Sequence, residues 1–181
     1  MLSVKWVRAP DGIIAHMTHI SHDSEVLAEG QQVITACAFI HQEIDGVEKV
    51  FLPKRAETKK FLPGVYELPG GHIDFGEDPV AGLKREIDEE FGAKVEVGDP
   101  FYVFTYTNDI KRSHSIEVIY FARFVSDLGS IALNPEDHSE FGWFAENELK
   151  KATTEGKGLD DIEFVAMRKG FALLRGESPQ F

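Results

Sequence analysis

The chain has 181 residues and a hydrophobic fraction of 43%, enough for one globular domain that buries a core without disulfides or structural zinc. Its formal net charge of −12, from 19 Lys+Arg against 31 Asp+Glu, argues against nucleic acid as a partner, because phosphate backbones are bound by clusters of lysine and arginine. No run approaches the roughly 20 apolar residues needed to span a bilayer, and the first residues carry no apolar segment of signal-peptide length; no membrane partner is expected, and a cytoplasmic location follows as the default.

Residues 1–31 form an N-terminal extension. Val4 to Val7 and Ile13 to Ile20 flank Pro10-Asp11-Gly12, and an Asp-Gly turn between two short runs reads as a β-hairpin. His16, His19 and His22 recur at a three-residue spacing that suits a helix, whereas their β-branched neighbours suit a strand, so a metal site there is disfavoured.

The core pattern begins at residue 32 and continues through 181. Val33 to His41 reads as a buried strand carrying the single cysteine, Cys37, as a small core residue. Lys49 to Lys54 is its hairpin partner. The basic segment Lys54-Arg55 with Lys59-Lys60 follows, and Arg55 is its best candidate for touching a phosphate. Val65 to Leu68 reads as a short strand leading into Pro69-Gly70-Gly71. Adjacent glycines let backbone approach a ligand closely, which makes Gly70 and Gly71 candidate substrate-binding residues.

Asp78-Pro79 has the form of an N-cap followed by proline at the first helical position. Val80, Leu83, Ile87 and Phe91 then recur at helical spacing, and Gly92 supplies the stop. On a wheel advancing about 100° per residue, Glu86, Glu89 and Glu90 fall within an arc of roughly 100° beside that stripe. Like charges three and four residues apart repel. Oxygen-only ligands select hard cations, so Mg²⁺ is the expected occupant, with Mn²⁺ as the alternative. Arg85 can form a planar fork to a carboxylate, with Glu77 and Glu89 as candidates.

Beyond the helix, Val95 to Tyr106 and Ser115 to Phe124 are two long strands joined by the polar segment Asn108 to Arg112. Their irregular alternation is expected where both faces are covered. Asn134 to Glu140 is an acidic loop, and Phe141 to Phe144 a short strand in which Trp143 reads as core. Glu146 to Lys151 reads as a short helix. Leu159 to Leu174 reads as a final amphipathic helix with Ile162, Val165, Ala166, Phe171 and Leu173 among its apolar positions, ended by Gly176 and Pro179.

The stretch Gly71 to Ala93, GHIDFGEDPVAGLKREIDEEFGA, matches G-x5-E-x7-R-E-U-x-E-E-x-G-U, with U aliphatic, at every fixed position. If its seven fixed residues each occur at roughly 7%, a chance match at a given start has a probability of about 10⁻⁸. This segment resembles the signature box of the Nudix hydrolases. The resemblance is close over the box and looser from about Gln32 to Lys150. It implies an α/β fold: a Nudix-type α/β/α sandwich with a mixed β-sheet and the box helix carrying a metal site. It further implies metal ligation by Glu86, Glu89 and Glu90 with the backbone carbonyl of Gly71, and hydrolysis of a phosphoanhydride in a nucleoside diphosphate-linked small molecule. In the family the general base comes from the box or from a later loop. Glu89 is the first choice, Glu136 and Glu140 are the loop candidates, and Arg85 completes the catalytic set.

Markers that other Nudix subfamilies carry outside the box are missing. Asn108 and Asp109 stand where ADP-ribose hydrolases often have a proline, and Ile110 and Lys111 where many dinucleoside polyphosphate hydrolases have a tyrosine. Gly64 to His72 looks most like MutT-type nucleoside triphosphate pyrophosphohydrolases. ADP-ribose or nucleotide-sugar hydrolysis is the alternative, and a non-catalytic nucleotide sensor or regulator is the alternative of a different class. Because many family members are dimers, a homodimer is an assembly the resemblance allows.

Overall fold

The computed structural model describes residues 4–8, 14–18 and 30–177. Strands β1 (Val4–Arg8) and β2 (Ile14–Thr18) pair antiparallel as a two-stranded sheet. The side chains of the histidine trio lie outside the described residues.

The remaining strands build one mixed sheet around β3 (Gln32–Ile44). Along one side of β3 runs β7 (Ser113–Phe124), parallel to it, with β6 (Val95–Asn108) antiparallel to β7 beyond. The other side of β3 is shared. Its first half pairs with β5 (Gly70–His72) and its last residues with β4 (Val47–Arg55), after which β8 (His138–Ala145) pairs with β4. Six consecutive residues of β3, Thr35 to Ile40, are buried. A strand covered on both faces loses the alternating pattern and reads as a continuous apolar run.

Those two faces hold separate cores. Ala36, Ala38 and Ile40 point to helix α1 (Pro79–Phe91), where they meet Leu83, Ile87, Phe91 and Phe51. Cys37 and Phe39 point the other way, to helix α2 (Ile162–Leu174), and meet Phe164, Met167 and Phe171. The result is the α/β/α sandwich expected from the box. At about 1.5–3 kcal/mol per buried large apolar side chain, each helix is held by its stripe far more than by its own propensity.

Several elements differ from the sequence reading in instructive ways. Val65 to Leu68 forms no strand beyond an isolated bridge between Lys54 and Tyr66; the paired segment is the glycine pair itself, Gly70–His72. Gly70 has φ of 147°, and a Cβ there would lie 2.2 Å from the Ala36 carbonyl oxygen, so only glycine permits β3 and β5 to close at this point. The segment after β8 is a 3-10 helix, Glu146–Ala152. Helix α2 starts at Ile162, because Asp161 caps it by accepting the Glu163 N–H. Its buried stripe is Phe164, Ala166, Met167 and Phe171, with Ile162 exposed. Asp161 sets the phase of this helix, which a tally of apolar residues does not fix.

Candidate functional site

Helix α1 begins as its sequence dictates. The Asp78 carboxylate accepts the backbone N–H groups of Val80 and Ala81, each at 3.0 Å, and Pro79 occupies the first turn at no hydrogen-bonding cost. Gly92 ends the helix in the left-handed region. About two turns from that end, Arg85 is the hub of the box. Its Nε and Nη2 donate to the two oxygens of Glu77 at 3.0 and 2.9 Å, a fork-to-fork pair. Its Nη1 donates to Glu86 at 2.8 Å and to Glu89 at 3.3 Å, and Nη2 also reaches the His72 carbonyl at 3.0 Å. The hydrogen bonds to Glu77 above all hold the Arg85 pKa above its ordinary value. Glu77 also accepts the Asp74 N–H at 3.0 Å, which closes the loop leading into the helix. The fork to Glu77 and the contact with Glu89 therefore both form.

The three box carboxylates are not equivalent. Glu86 and Glu90 are buried on the side facing the sheet, whereas the Glu89 side chain is 55% exposed. A Cβ on Gly71 would stand 2.5 Å from the Glu86 carboxyl carbon, so the missing side chain at Gly71 brings backbone directly against that carboxylate. Glu90 has one buried oxygen, Oε2, without a hydrogen-bond partner. Burial, then the charges of Glu86, Glu67 and Asp137, push its pKa well above the carboxylate range, against the pull of Arg55. Among the described residues no trio of His, Cys, Asp or Glu side chains is already arranged to hold a metal ion. Arg85 engages Glu86 and Glu89. The donor chemistry nonetheless fits a hard divalent cation: an oxygen-only set, an orphaned buried carboxylate oxygen and a glycine that clears the approach.

Beside the box lies a cavity of about 440 Å³ lined by Arg55, Gly70, Gly71, Glu67, Lys59 and Lys111 among others. Arg55 is 4% exposed; it donates to Glu67 at 2.8 Å and to the Phe61 carbonyl at 3.0 Å. Burial alone would raise the Glu67 pKa, but Arg55 and a hydrogen bond from His138 hold it at about 2. Lys59 pairs with Asp137 at 2.5 Å. Burial, followed by repulsion from Arg55 and Lys59, lowers Lys111 to about 8. Arg55, Lys59 and Lys111 thus share one cavity next to the box with Lys60 and Lys157, a field suited to a polyphosphate.

The structure brings Arg55, Gly70 and Gly71 to this cavity and does not bring Glu140 there. Glu140 pairs with Lys54 in the β4–β8 ladder. Its carboxylate meets the Lys54 ammonium at 3.1 Å and the Tyr66 hydroxyl at 3.1 Å. Pleat alternation puts Lys54 and Arg55 on opposite sides, and Glu140 follows Lys54. Of the loop candidates, Glu136 lines the cavity. The acidic loop is fixed to the helix by backbone bonds from Ala132 to Phe91 and from Asn134 to Glu90. Glu67, Lys111, Tyr106, Glu117, Lys157 and Glu163 also line the cavity and escaped sequence reasoning. Each stands alone in an ordinary strand, loop or helix turn, and only the charges among apolar neighbours at Glu117 and Glu163 carried a signal.

The family model for the NUDIX domain matches residues 32–162. The chain belongs to the Nudix hydrolase family. A MutT Nudix hydrolase structure from Burkholderia pseudomallei is 26% identical, with a TM-score of 0.59 over 76% of this chain and 97% of that one. The 8-oxo-dGTP diphosphatase of Haemophilus influenzae is 43% identical over 44 residues, covering 24% of this chain and 32% of that protein. The Nudix hydrolase YfcD of Salmonella typhi is 32% identical over 89 residues, covering 45% and 47% respectively. The chain therefore spans less than half the length of these two curated relatives. No helix among the described residues is long and apolar enough to cross a membrane.

Proposed function

We propose that this Nudix protein is a divalent-metal-dependent pyrophosphohydrolase that cleaves a phosphoanhydride of a nucleoside diphosphate-linked substrate, with nucleoside triphosphates as the favoured class. The observation that carries the reading is the buried, partnerless Glu90 oxygen beside Glu86, set against Gly71 and the cation-lined cavity. Glu86, Glu89, Glu90 and the Gly71 carbonyl would hold the ion, Mg²⁺ or Mn²⁺. When bound, such an ion lowers the pKa of water and neutralises charge on the phosphates.

The chain's own residues do the rest. Arg55, Lys59 and Lys111 orient the phosphate chain in the cavity, where bonds to Glu67 and the Phe61 carbonyl hold Arg55. Arg85 locks Glu77 and Glu86 so that the box presents one arrangement. Glu89, exposed and in 3.3 Å contact with Arg85, is the first choice to take a proton from an attacking water, and Glu136 lining the cavity is the loop alternative. The similarity to the Haemophilus 8-oxo-dGTP diphosphatase and to a MutT structure supports a triphosphate over ADP-ribose or a nucleotide sugar. A Mg²⁺ assay over nucleoside triphosphates, ADP-ribose and UDP-sugars decides between them. Pyrophosphate release from triphosphates is expected, while binding without turnover across the panel would leave a sensor.

A further inference from the structure

Three carboxylates, two buried and one half-buried, line the floor of the cavity, and the hydrolytic chemistry of the box uses none of them directly. They are Glu67, Glu117 on β7 and Glu163 at the start of α2. Two have bonded cations: Glu67 has Arg55, and Glu163 has Lys157 while also accepting the Leu68 N–H. Glu117 is 7% exposed, and its hydrogen-bonding neighbour is the Cys37 thiol. Three carboxylates against two cations leave one negative charge in excess, which a low-dielectric floor rejects. Burial first, and the Glu163 charge second, push the Glu117 pKa up to about 8. Glu117 therefore holds a proton at neutral pH and presents one O–H donor and one C=O acceptor side by side in a plane.

The walls around this floor are aromatic. Phe61 and Tyr106 face each other with an interplanar angle of 16° and centroids 6.1 Å apart, and Phe104 lines the same cavity. Flat π-faces beside a coplanar donor and acceptor suit a flat heterocycle with an N–H next to an acceptor on its edge. A sugar, with hydroxyls out of plane, matches neither feature. The cations Arg55, Lys59 and Lys111 line the same cavity, so a base and its phosphates can be held together.

We propose that Glu117 is a specificity-determining residue that hydrogen-bonds the edge of a nucleobase lodged against Tyr106 in this cavity. The inference rests on the reading that the substrate is a nucleotide, but its test needs no turnover. Calorimetric titration in EDTA with GMP, IMP, AMP, CMP, UMP and ribose 5-phosphate is to be run on the wild type, Glu117→Ala and Glu117→Gln. One base is expected to bind about tenfold or more tightly than ribose 5-phosphate and than the weakest base. Glu117→Ala should compress the ranking to within about threefold, whereas Glu117→Gln, which keeps a coplanar donor and acceptor, retains the leading base. Equal binding of all ligands, no binding of any, or an unchanged ranking in Glu117→Ala overturns the proposal. Should Glu117→Ala fail to fold by circular dichroism, Tyr106→Leu carries the test. It should weaken every base about tenfold and leave ribose 5-phosphate unchanged, and unchanged base binding overturns the proposal. Base ranking in EDTA without Mg²⁺-dependent turnover would sink the hydrolase reading alone, and turnover without base ranking would sink this one alone.

Discussion

The box helix and the cavity floor each gather acidic side chains, and they restrain them by opposite means. On α1, Glu86, Glu89 and Glu90 come from five consecutive residues, and one arginine, Arg85, spans Glu77, Glu86 and Glu89. On the floor, Glu67, Glu117 and Glu163 come from three distant segments, and two different cations pair with two of them: Arg55 with Glu67 and Lys157 with Glu163. The first arrangement leaves an oxygen of Glu90 without a partner, a place for a cation to enter. The second nearly closes its charge balance with protein groups and a proton. Acidic clusters in one molecule can thus be open or sealed according to where their counter-charges come from.

Glu90→Gln strikes hardest at the open cluster. Turnover with Mg²⁺ should fall by about a thousandfold, while the melting temperature of the metal-free protein holds, because burial already favours the neutral form of Glu90 and Gln is a neutral group of the same size. A variant with wild-type turnover would refute the metal assignment.

On the sealed side, Arg55→Ala should destabilise the fold by about 2–4 kcal/mol in urea titrations, because it empties the buried Arg55 site and strands Glu67 as a half-buried charge. Arg85→Ala should cost about 1–2 kcal/mol, since Glu89 is exposed and water can take over part of its role. Equal costs would mean that the two clusters are restrained alike.

Paired glycine substitutions separate scaffold from site. Gly70→Ala drives a Cβ to 2.2 Å from the Ala36 carbonyl oxygen, backbone against backbone, and should cost several kcal/mol of stability, of order 3. Gly71→Ala meets a movable Glu86 carboxylate instead, so the expected loss is in Mg²⁺-dependent turnover, with thermal stability lowered less.

The acid limb of stability sharpens the contrast further. The Glu67 pKa is lowered from its ordinary 4.5 to about 2, so its contribution is fully present above pH 4.5 and is lost as pH falls toward 2. Urea titrations between those limits should show this loss in the wild type and not in Arg55→Ala. Smallest of all, Glu140→Gln should change stability by less than about 0.5 kcal/mol and leave turnover within about twofold, since Glu140 bonds Lys54 and Tyr66 on the far side of β4; a large drop in turnover would restore it as the base.

Read along the chain, the box was legible because helix periodicity and capping act over a few residues. Asp78, Pro79 and Gly92 bracket α1 as their local chemistry demands, and the stripe Leu83, Ile87 and Phe91 is buried as its spacing predicts. The β1–β2 and β3–β4 hairpins were legible in place and in pairing, whereas the strand expected at Val65 to Leu68 forms at Gly70–His72 instead. Nothing local tells β3 to share one side between Gly70–His72 and β4, or tells Asp161 to start α2 late.

The sequence by itself determined the helix that carries Glu86, Glu89 and Glu90, since capping and periodicity act within a turn or two of chain, and the resemblance of its box implied the family and the sandwich fold. The tertiary structure decided the rest. It split those glutamates into two buried and one exposed, placed Glu140 off the cavity, and joined Arg55 to Glu67 and Lys157 to Glu163. Those outcomes depend on which strands lie side by side and on how much water is excluded between them, and burial of charge is a property of the assembled fold rather than of any segment.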